Sequence, residues 1–239
     1  REQDDRDTKK EATKLHAKFM KNIIGRSRKK KLIIGHDYVV EKLHIDGIDY
    51  HYKQIENGFT QPNARINQAM LSWTLRQTKK CGDDLLELYC GNGNFTCVLS
   101  RNFKKVLATE VSKASVKAAH FNLEKNNIGN VKICRMSSEE ITSALNKVRK
   151  FHRLKNIDLN TYKLNSIFVD PTRAGLDEKT LNLLKKFKNI LYISCNPKTL
   201  QENIQEISDT HSIKSFAVFD QFPYTDHLEC GVLLQLKNI

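Results

Sequence analysis

The chain lacks the long apolar runs and leader pattern that mark membrane and secreted proteins. None of its 239 residues fall in an apolar run near the ~18 residues that a spanning helix needs. No signal-peptide pattern is present. The sequence opens at Arg1 rather than Met, so a fragment of a longer protein is an open alternative and this start says nothing about targeting. Composition predicts a globular protein without a membrane partner.

The six cysteines contain no C-x-x-C pair. That absence disfavours a zinc site or an iron–sulfur cluster within this segment. An even count allows a disulfide framework, but the lysine-rich, signal-free context favours reduced thiols. We therefore expect no metal in this segment, reduced cysteines and a cytoplasmic location. The sequence does not determine the oligomeric state, and a monomer is the default expectation.

Acidic residues are scarce relative to basic ones, 27 against 40, and the formal net charge is +13. A field of this sign attracts polyanions such as RNA. The cations are clustered, which favours a phosphate-contacting face over a merely solvated basic surface, although composition alone leaves both open. The clusters are Arg26, Arg28, Lys29, Lys30 and Lys31, and Lys147, Arg149, Lys150, Arg153 and Lys155.

The first 58 residues differ in pattern from the rest. A charged helix is predicted over 11–20, with Leu15, Phe19 and Met20 on a weak apolar face. Short apolar runs separated by glycine follow, and Asp46-Gly47 predicts a hairpin. We interpret residues 1–58 as the end of an upstream domain with a linker hairpin, and residues 59–239 as a second domain.

From Pro62 onward, predicted strands alternate with predicted helices. This alternation predicts an α/β fold with a doubly wound, mostly parallel sheet. The last two strands have no helix between them, so they are expected to be antiparallel neighbours. Predicted strands cover 84–89, 106–111, 131–136, 166–170, 190–195, 213–220 and 230–236, and predicted helices cover 67–78, 94–102, 113–126, 137–150, 177–187 and 198–208.

Several polar residues end predicted strands. Open α/β sheets bind ligands at the carboxyl ends of their strands. The fold should therefore gather these residues on one rim of the sheet. They are Gly91, Glu110, Asp170 and Cys195.

The turn around Gly91 predicts a nucleoside site. Only Gly-x-Gly is present, so the turn fails as a dinucleotide fingerprint, and an ordinary tight turn is the alternative. Glu110 lies about twenty residues further on, where an acidic side chain can take ribose hydroxyls. A ribose clamp without a pyrophosphate cradle favours S-adenosylmethionine (AdoMet) over NAD. Asp170 is placed to face the cationic end of AdoMet, or to cap a helix.

Cys195 and Glu229 predict covalent chemistry. Cys195 precedes Asn196-Pro197 at a predicted helix start, where a thiol pKa is expected to be lowered. Uracil C5 is a poor nucleophile, and thiolate addition at C6 would activate it. Glu229 is the candidate base for the C5 proton, with His227 as an orienting group. The alternatives are a buried structural thiol and a solvated carboxylate.

With these residues assembled, the chain closely resembles the bacterial tRNA (uracil-5-)-methyltransferases, a family of RNA m5U methyltransferases. The resemblance covers nearly the whole chain. The motifs that carry it are Phe59-Thr60-Gln61-Pro62-Asn63, Leu88-Tyr89-Cys90-Gly91-Asn92-Gly93-Asn94, Ser194-Cys195-Asn196-Pro197, Asp220-Gln221-Phe222-Pro223 and His227-Leu228-Glu229-Cys230-Gly231.

The resemblance implies a Rossmann-like class I AdoMet-dependent fold and methylation of the tRNA T-loop uridine to ribothymidine, with the base flipped from the loop. It implies Cys195 as nucleophile, Glu229 as base and Arg173 as a supporting cation. It also makes residues 1–58 the remnant of an N-terminal RNA-binding region. The implied AdoMet contacts are Gln61, Tyr89, Asn94, Glu110 and Asp170.

Thr172 departs from the family pattern, which has proline there, so a looser turn before Arg173 is expected. Two rival functions stay open. One is a 23S ribosomal-RNA uridine methyltransferase, and the other is a non-catalytic RNA-binding or RNA-folding module, which would need neither Cys195 nor Glu229. An amino-group methyltransferase lacks support, because Arg173 replaces the aromatic residue that would stack on the target base and such enzymes need no thiol.

Overall fold

The structure is a computed structural model that describes residues 2–19, 22–27 and 30–237. Its N-terminal part has one helix, α1 (Glu2–Phe19), and two antiparallel pairs of strands. The pairs are β1 (Ile23–Ser27) with β2 (Lys30–Ile34) and β3 (Tyr38–Ile45) with β4 (Ile48–Ile55). The predicted helix and the Asp46-Gly47 hairpin are confirmed. Predictions for Met20, Arg28 and Lys29 lie outside the described residues.

The α/β part follows the predicted alternation. Its helices are α2 (Ala64–Thr78), α3 (Asn94–Leu99), α4 (Lys113–Lys125), α5 (Ser138–Leu145), α6 (Glu178–Leu184) and α7 (Pro197–Ile207). Its strands are β5 (Asp84–Leu88), β6 (Lys105–Thr109), β7 (Val131–Cys134), β8 (Leu164–Val169), β9 (Asn189–Ser194), β10 (His211–Phe219) and β11 (Glu229–Leu236).

These strands form one seven-stranded sheet in the order β10-β11-β9-β8-β5-β6-β7. The ladders from β9 to β7 are parallel, and β11 is antiparallel to both β9 and β10. This confirms the doubly wound sheet with antiparallel final strands. The chain order reverses between β5 and β8, which opens a crevice above their carboxyl ends.

The hairpin β3–β4 shares a core with the sheet. Tyr50 and Tyr52 are buried beside residues of α2 and β5. The backbone N–H of Lys53 donates to the side-chain oxygen of Asn122 on α4, at 2.6 Å. Residues 38–55 are thus joined to the α/β part by buried contacts. The predicted division of the chain after residue 58 stays a prediction.

Helix α5 ends earlier than predicted, at Leu145 rather than residue 150. Lys147 adopts a left-handed backbone (φ 56°), which a continuing helix cannot accommodate. We call residues 146–162 the edge segment, because it runs beside the edge strand β7. The backbone oxygen of Arg153 lies 3.8 Å from the Cys134 sulfur at the end of β7. None of the helices in the described ranges is long and apolar enough to cross a membrane.

Candidate active site at the carboxyl rim of the sheet

The rim of the sheet collects the side chains that the strand pattern predicted. Glu110, Asp170 and Cys195 each follow directly on a parallel strand, β6, β8 and β9 respectively. Glu229 begins the antiparallel strand β11, so it starts at the same edge. Cys230 is paired with Ser194, and this register sets Glu229 opposite Cys195, one step beyond the ladder. Nucleophile and base candidates, 34 positions apart in the chain, therefore meet through strand pairing.

The turn after β5 has an unusual backbone. Tyr89, Gly91 and Gly93 all have positive φ, at 60°, 55° and 83°. A Cβ added at Gly91 would meet no atom within 4 Å, so the backbone there faces open space that a ligand can approach. A Cβ at Gly93 would lie 3.5 Å from Ala119 on α4, so this glycine allows close helix packing.

Glu110 ties this turn to the end of β6. One carboxylate oxygen accepts a hydrogen bond from the Gly91 N–H at 3.0 Å, and the other accepts from the Ser112 N–H at 2.7 Å. Each oxygen keeps a further lone pair. The side chain is partly exposed. Glu110 therefore holds the turn and can still accept hydrogen bonds from ribose hydroxyls.

Asn94 is held by a partner that sequence reasoning missed. Its amide N–H donates to the Asn67 oxygen at 2.9 Å, and the Asn67 amide donates back at 3.0 Å. Asn67 is buried on α2. The two residues are 27 positions apart on different helices, so no local pattern could have revealed the pair.

Gln61 is joined to a distant motif. Its side-chain oxygen accepts a hydrogen bond at 2.7 Å from Gln221, which lies 160 positions away. Gln221 is buried, and its own side-chain oxygen has no partner among the described residues. The neighbouring Asn63 caps α2 by accepting from the N–H groups of Arg65 and Ile66. The hydrogen bond between Gln61 and Gln221 therefore joins the two matched motifs.

Cys195 is the least buried of the six cysteines, all of which are free thiols. Burial raises its pKa, and the nearby carboxylates of Glu229 and Asp170 raise it further. Its own backbone N–H and the Arg173 guanidinium act in the opposite direction. The sequence expectation of a lowered thiol pKa is therefore wrong for this structure.

The local geometry explains the error. Asn196, not Cys195, is the N-cap of α7, and its side chain accepts from the Lys198 N–H at 3.2 Å. Pro197 occupies the first turn, as predicted, and contributes no N–H. The thiol therefore lies before the cap, where the helix N-terminus does not outweigh burial and two carboxylates.

Three carboxyl groups lie close together below the rim. Glu229 is almost fully buried, and burial raises its pKa to about 7. Asp170 is partly buried, and loss of water raises its pKa well above the ordinary value, with Glu229 adding to the effect. Glu87, within β5, is fully buried, and burial raises its pKa to about 8, with Asp170 adding to the shift.

Glu87 is the second residue that sequence reasoning missed. Neither of its carboxyl oxygens meets the distance and angle limits for a hydrogen bond in the described structure, although the nearby Thr96 hydroxyl opposes the rise of its pKa. A signal for it was available, because Glu87 interrupts the leucines of a fully buried strand whose other acidic residue, Asp84, lies at the strand start. A charged residue within such a strand is rare unless it is paired or functional.

Arg173 lies on the loop after β8, and its side chain is exposed. Its backbone oxygen accepts hydrogen bonds from the Asn196 amide at 3.1 Å and the Thr199 hydroxyl at 3.5 Å. A turn hydrogen bond from the Gly175 N–H to the Thr172 oxygen, at 2.9 Å, closes the loop. These contacts hold the loop without the family proline.

His227 does not contact Glu229 through any hydrogen bond within the described ranges. Its ring lies edge-on to Phe222, with ring centroids 5.9 Å apart, and its backbone N–H donates to the Thr225 hydroxyl. Its orienting role stays a prediction. No group of three or more metal-ligating side chains occurs in the part of the chain that the structure covers.

Comparison with known proteins places the chain in one family. The family model for tRNA (uracil-5-)-methyltransferase matches residues 1–237. A tRNA/tmRNA (uracil-C(5))-methyltransferase of Saccharophagus degradans is 59% identical over 95% of this chain and 62% of its own length. The corresponding protein of Cellvibrio japonicus is 56% identical over the same shares of the two chains. The chain thus spans about 62% of the length of these relatives.

Solved structures share the fold. The Pyrococcus abyssi tRNA (uracil-54, C5)-methyltransferase, in complex with S-adenosyl-L-homocysteine, superposes with a TM-score of 0.64 at 22% identity. It covers 89% of this chain and 50% of that one. The M. jannaschii tRNA m1G37 methyltransferase has a TM-score of 0.55 at 12% identity, and covers 95% of this chain and 67% of that one.

At these identities the solved structures support the Rossmann-like methyltransferase fold alone. The family model and the curated relatives go further, because they match almost every residue of this chain. The chain belongs to the tRNA (uracil-5-)-methyltransferase family.

Proposed function

We propose that the protein methylates C5 of the T-loop uridine of tRNA, with AdoMet as methyl donor and through a covalent adduct on Cys195. The observation that carries the proposal is the meeting of Cys195 and Glu229 at the rim, opposite each other across the β9–β11 register. A pure RNA-binding module needs neither group. The names of the curated relatives, which include tRNA and tmRNA, support this substrate class.

The rim fits AdoMet. The backbone at Gly91 faces open space, and the Glu110 carboxylate keeps accepting capacity toward ribose hydroxyls. Asp170 provides an acidic group near the reaction centre. When bound there, AdoMet would supply an electrophilic methyl group on a sulfonium. The residues proposed to hold it are Gln61, Tyr89, Gly91, Asn94, Glu110 and Asp170.

The thiol of Cys195 performs the first step. Its thiolate adds to C6 of uracil, which forms the S–C6 bond and moves electron density to C5. Arg173 favours the thiolate, because its guanidinium lowers the thiol pKa. C5 would then bond the methyl group as its bond to the sulfonium sulfur breaks, which leaves a neutral thioether, and the adduct would carry both a methyl group and a proton at C5.

Glu229 completes the reaction. Its carboxylate removes the C5 proton, the electron pair forms the C5–C6 double bond, and the S–C6 bond breaks to return the thiolate. A base with a pKa of about 7 is well matched to this task near neutral pH. Burial in the rim therefore prepares Glu229 for proton transfer rather than for ion pairing.

The net charge of +13 suits a polyanionic substrate. The target uridine has to be unstacked from the folded T-loop to reach Cys195 at the rim. The preference for tRNA over ribosomal RNA is supported by the names of the relatives, and the T-loop position rests on the family resemblance. Comparing a tRNA T-arm hairpin with a ribosomal-RNA hairpin tests this specificity.

The test uses a tRNA T-arm hairpin with 5-fluorouridine at the target position. Fluorine cannot be abstracted as a proton, so a methylated adduct should accumulate. We expect a band stable in denaturing gels, with mass spectrometry placing the RNA on Cys195. Cys81→Ala, which removes a buried thiol, is the matched control and should still form the adduct. A ribosomal-RNA hairpin carrying the same base should react far more slowly.

Two results would contradict the proposal. One is an adduct on a residue other than Cys195. The other is the absence of any adduct while AdoMet binding, measured by calorimetry, is intact. Equal reaction of both hairpins would remove the T-loop assignment and leave the covalent chemistry standing.

A further inference from the structure

The second basic cluster lies in the edge segment, at the β7 end of the sheet and away from Cys195. Four of its cations line one groove between the end of α5 and the edge segment. The groove has a volume of about 730 Å³, within the range of small-ligand sites. Its cationic lining is Lys147, Arg149, Lys150 and Lys155.

The floor of the groove is apolar. Phe151, Leu154 and Ile157 line it and also pack against the core on the α5–α7 side of the sheet. No carboxylate lines the groove within the described ranges. The groove therefore combines positive walls with an aromatic and aliphatic base, which is the combination that binds single-stranded nucleic acid.

Three of the lysines in this groove are available to contact phosphates. Within the residues that the structure describes, Lys147, Lys150 and Lys155 make no ion pair. In the first basic cluster, Arg26 and Lys31 both pair with Glu56 at 2.9 Å. In the second cluster Arg153, which does not line the groove, pairs with Glu140 at 3.0 Å. A cation that is already paired with a carboxylate gains less free energy from contacting a phosphate. The groove in the edge segment is therefore the better phosphate site of the two.

Arg149 and Phe151 form a platform. The guanidinium carbon of Arg149 lies 4.3 Å from the centre of the Phe151 ring. This contact places the guanidinium against the ring, and the Arg149 side chain is exposed to an incoming base. Recognition of RNA uses such stacking on aromatic rings and on arginine planes.

We propose that the edge-segment groove is a second RNA site, in which lysines contact phosphates and an unpaired base stacks on Arg149. The proposal rests on the proposed function, since the RNA is taken to be the methylation substrate. In the sheet order, four inter-strand spacings separate β9 from β7. At ~4.8 Å each they give a lateral offset across the sheet of about 19 Å, roughly six steps of a nucleic-acid strand.

The first experiment removes charge from the groove. The variant Lys147→Ala, Lys150→Ala, Lys155→Ala is titrated with unmodified tRNA over a series of salt concentrations, by fluorescence anisotropy. We expect affinity to fall about tenfold at low salt, and the slope of log affinity against log salt to become shallower by about 2. All three side chains are exposed, so the fold should be retained.

The matched control removes three exposed lysines elsewhere: Lys79→Ala, Lys80→Ala and Lys214→Ala. The net charge changes equally in both variants. An equal loss of affinity in both would overturn the proposal, because it would show a general charge effect rather than a site.

The second experiment separates stacking from charge. Arg149→Lys keeps the cation and removes the planar guanidinium. We expect weaker tRNA binding, by a few fold, with an unchanged salt slope. Wild-type affinity in this variant would overturn the stacking part of the proposal.

Adduct formation distinguishes the two proposals. The triple groove variant should still form the Cys195 adduct at saturating 5-fluorouridine hairpin, since its rim is intact. Loss of tRNA affinity in this variant supports the groove even if the wild-type protein forms no adduct. An adduct in both proteins with unchanged tRNA affinity would leave the proposed function standing and overturn the second site.

Discussion

The two ends of the rim are built differently. At the β5–β6 end, polar groups satisfy one another: Glu110 accepts from two backbone N–H groups, and Asn94 and Asn67 exchange hydrogen bonds. At the β9–β11 end, the Glu229 carboxyl is buried and makes no side-chain hydrogen bond within the described residues. Burial raises its pKa to about 7.

The difference indicates a division of work. A hydrogen-bond network in which every polar group has a partner leaves no desolvated group unpaired and makes the site rigid. A rigid site suits binding of a cofactor. A buried carboxyl without partners is destabilising, and it is retained where proton transfer requires a raised pKa. Under the proposed function, the β5–β6 end would position the cofactor and the β9–β11 end would carry the reaction. The predictions below test this contrast.

The largest effect is expected for Cys195→Ala. The variant should lose methylation and covalent RNA adducts entirely, because no other partly exposed thiol lies at the rim within the described residues. AdoMet affinity should change less than twofold, since the β5–β6 end is untouched. Methyl transfer from labelled AdoMet and calorimetry measure the two properties. Measurable turnover in this variant would show that Cys195 is not the nucleophile.

Glu229→Gln should stop the reaction at a later point. The amide cannot accept the C5 proton, so methylated RNA should stay bound to Cys195 and turnover should fall by at least 100-fold. Denaturing gels with ordinary tRNA, followed by mass spectrometry, detect the trapped adduct. Normal release of methylated RNA would assign the base to another residue.

Glu229 should also make stability depend on pH. Its pKa is about 7 in the folded protein and about 4.5 ordinarily, so the folded state retains a proton that the unfolded chain loses over this range. The favourable contribution is present below pH 4.5 and is lost as pH rises through 7, at a cost on the order of 3 kcal/mol above that.

Glu229→Gln removes this titration. Denaturant unfolding of both proteins at pH 5 and pH 8 should show that the variant gains stability relative to wild type at pH 8. Glu87 titrates in the same direction but is present in both proteins, so its contribution cancels in the difference. An identical difference at the two pH values would mean that Glu229 is not buried as described.

The smallest effect is expected at the β5–β6 end. Glu110→Gln places an N–H group against the N–H of Gly91 or Ser112, so one hydrogen bond is lost. AdoMet affinity should fall about tenfold, in keeping with a cost of ~1–3 kcal/mol for an unsatisfied group. Calorimetry measures it, with the exposed Glu124→Gln on α4 as control. A larger loss than for Cys195→Ala would support the positioning role, and no loss would contradict it.

The grouping of several site residues at one rim could be predicted from the sequence. Alternating strands and helices predict a parallel sheet, and residues that end such strands must share a rim, so Glu110, Asp170 and Cys195 could be grouped beforehand. The boundaries erred by a few residues, as for α5, where a left-handed Lys147 ended the helix early. Because the sequence placed residues 147–150 inside a helix, it did not predict the groove that these residues help to line.

Other features depended on contacts between distant positions. The hydrogen bonds of Asn67 with Asn94 and of Gln61 with Gln221 join residues 27 and 160 positions apart. The direction of the Cys195 pKa shift depended on burial and on two carboxylates contributed by β8 and β11. No pattern along one segment records such neighbours.

The sequence by itself determined the family and the fold class, and it predicted the residues proposed to carry the chemistry. It could do so because periodicity and motif spacing are local properties of a chain. Only the tertiary structure decided the directions of their pKa shifts and their hydrogen-bond partners, and which lysines line the groove of the edge segment. Electrostatic effects depend on burial and on charges within a few ångströms, and both arise when separate elements pack together.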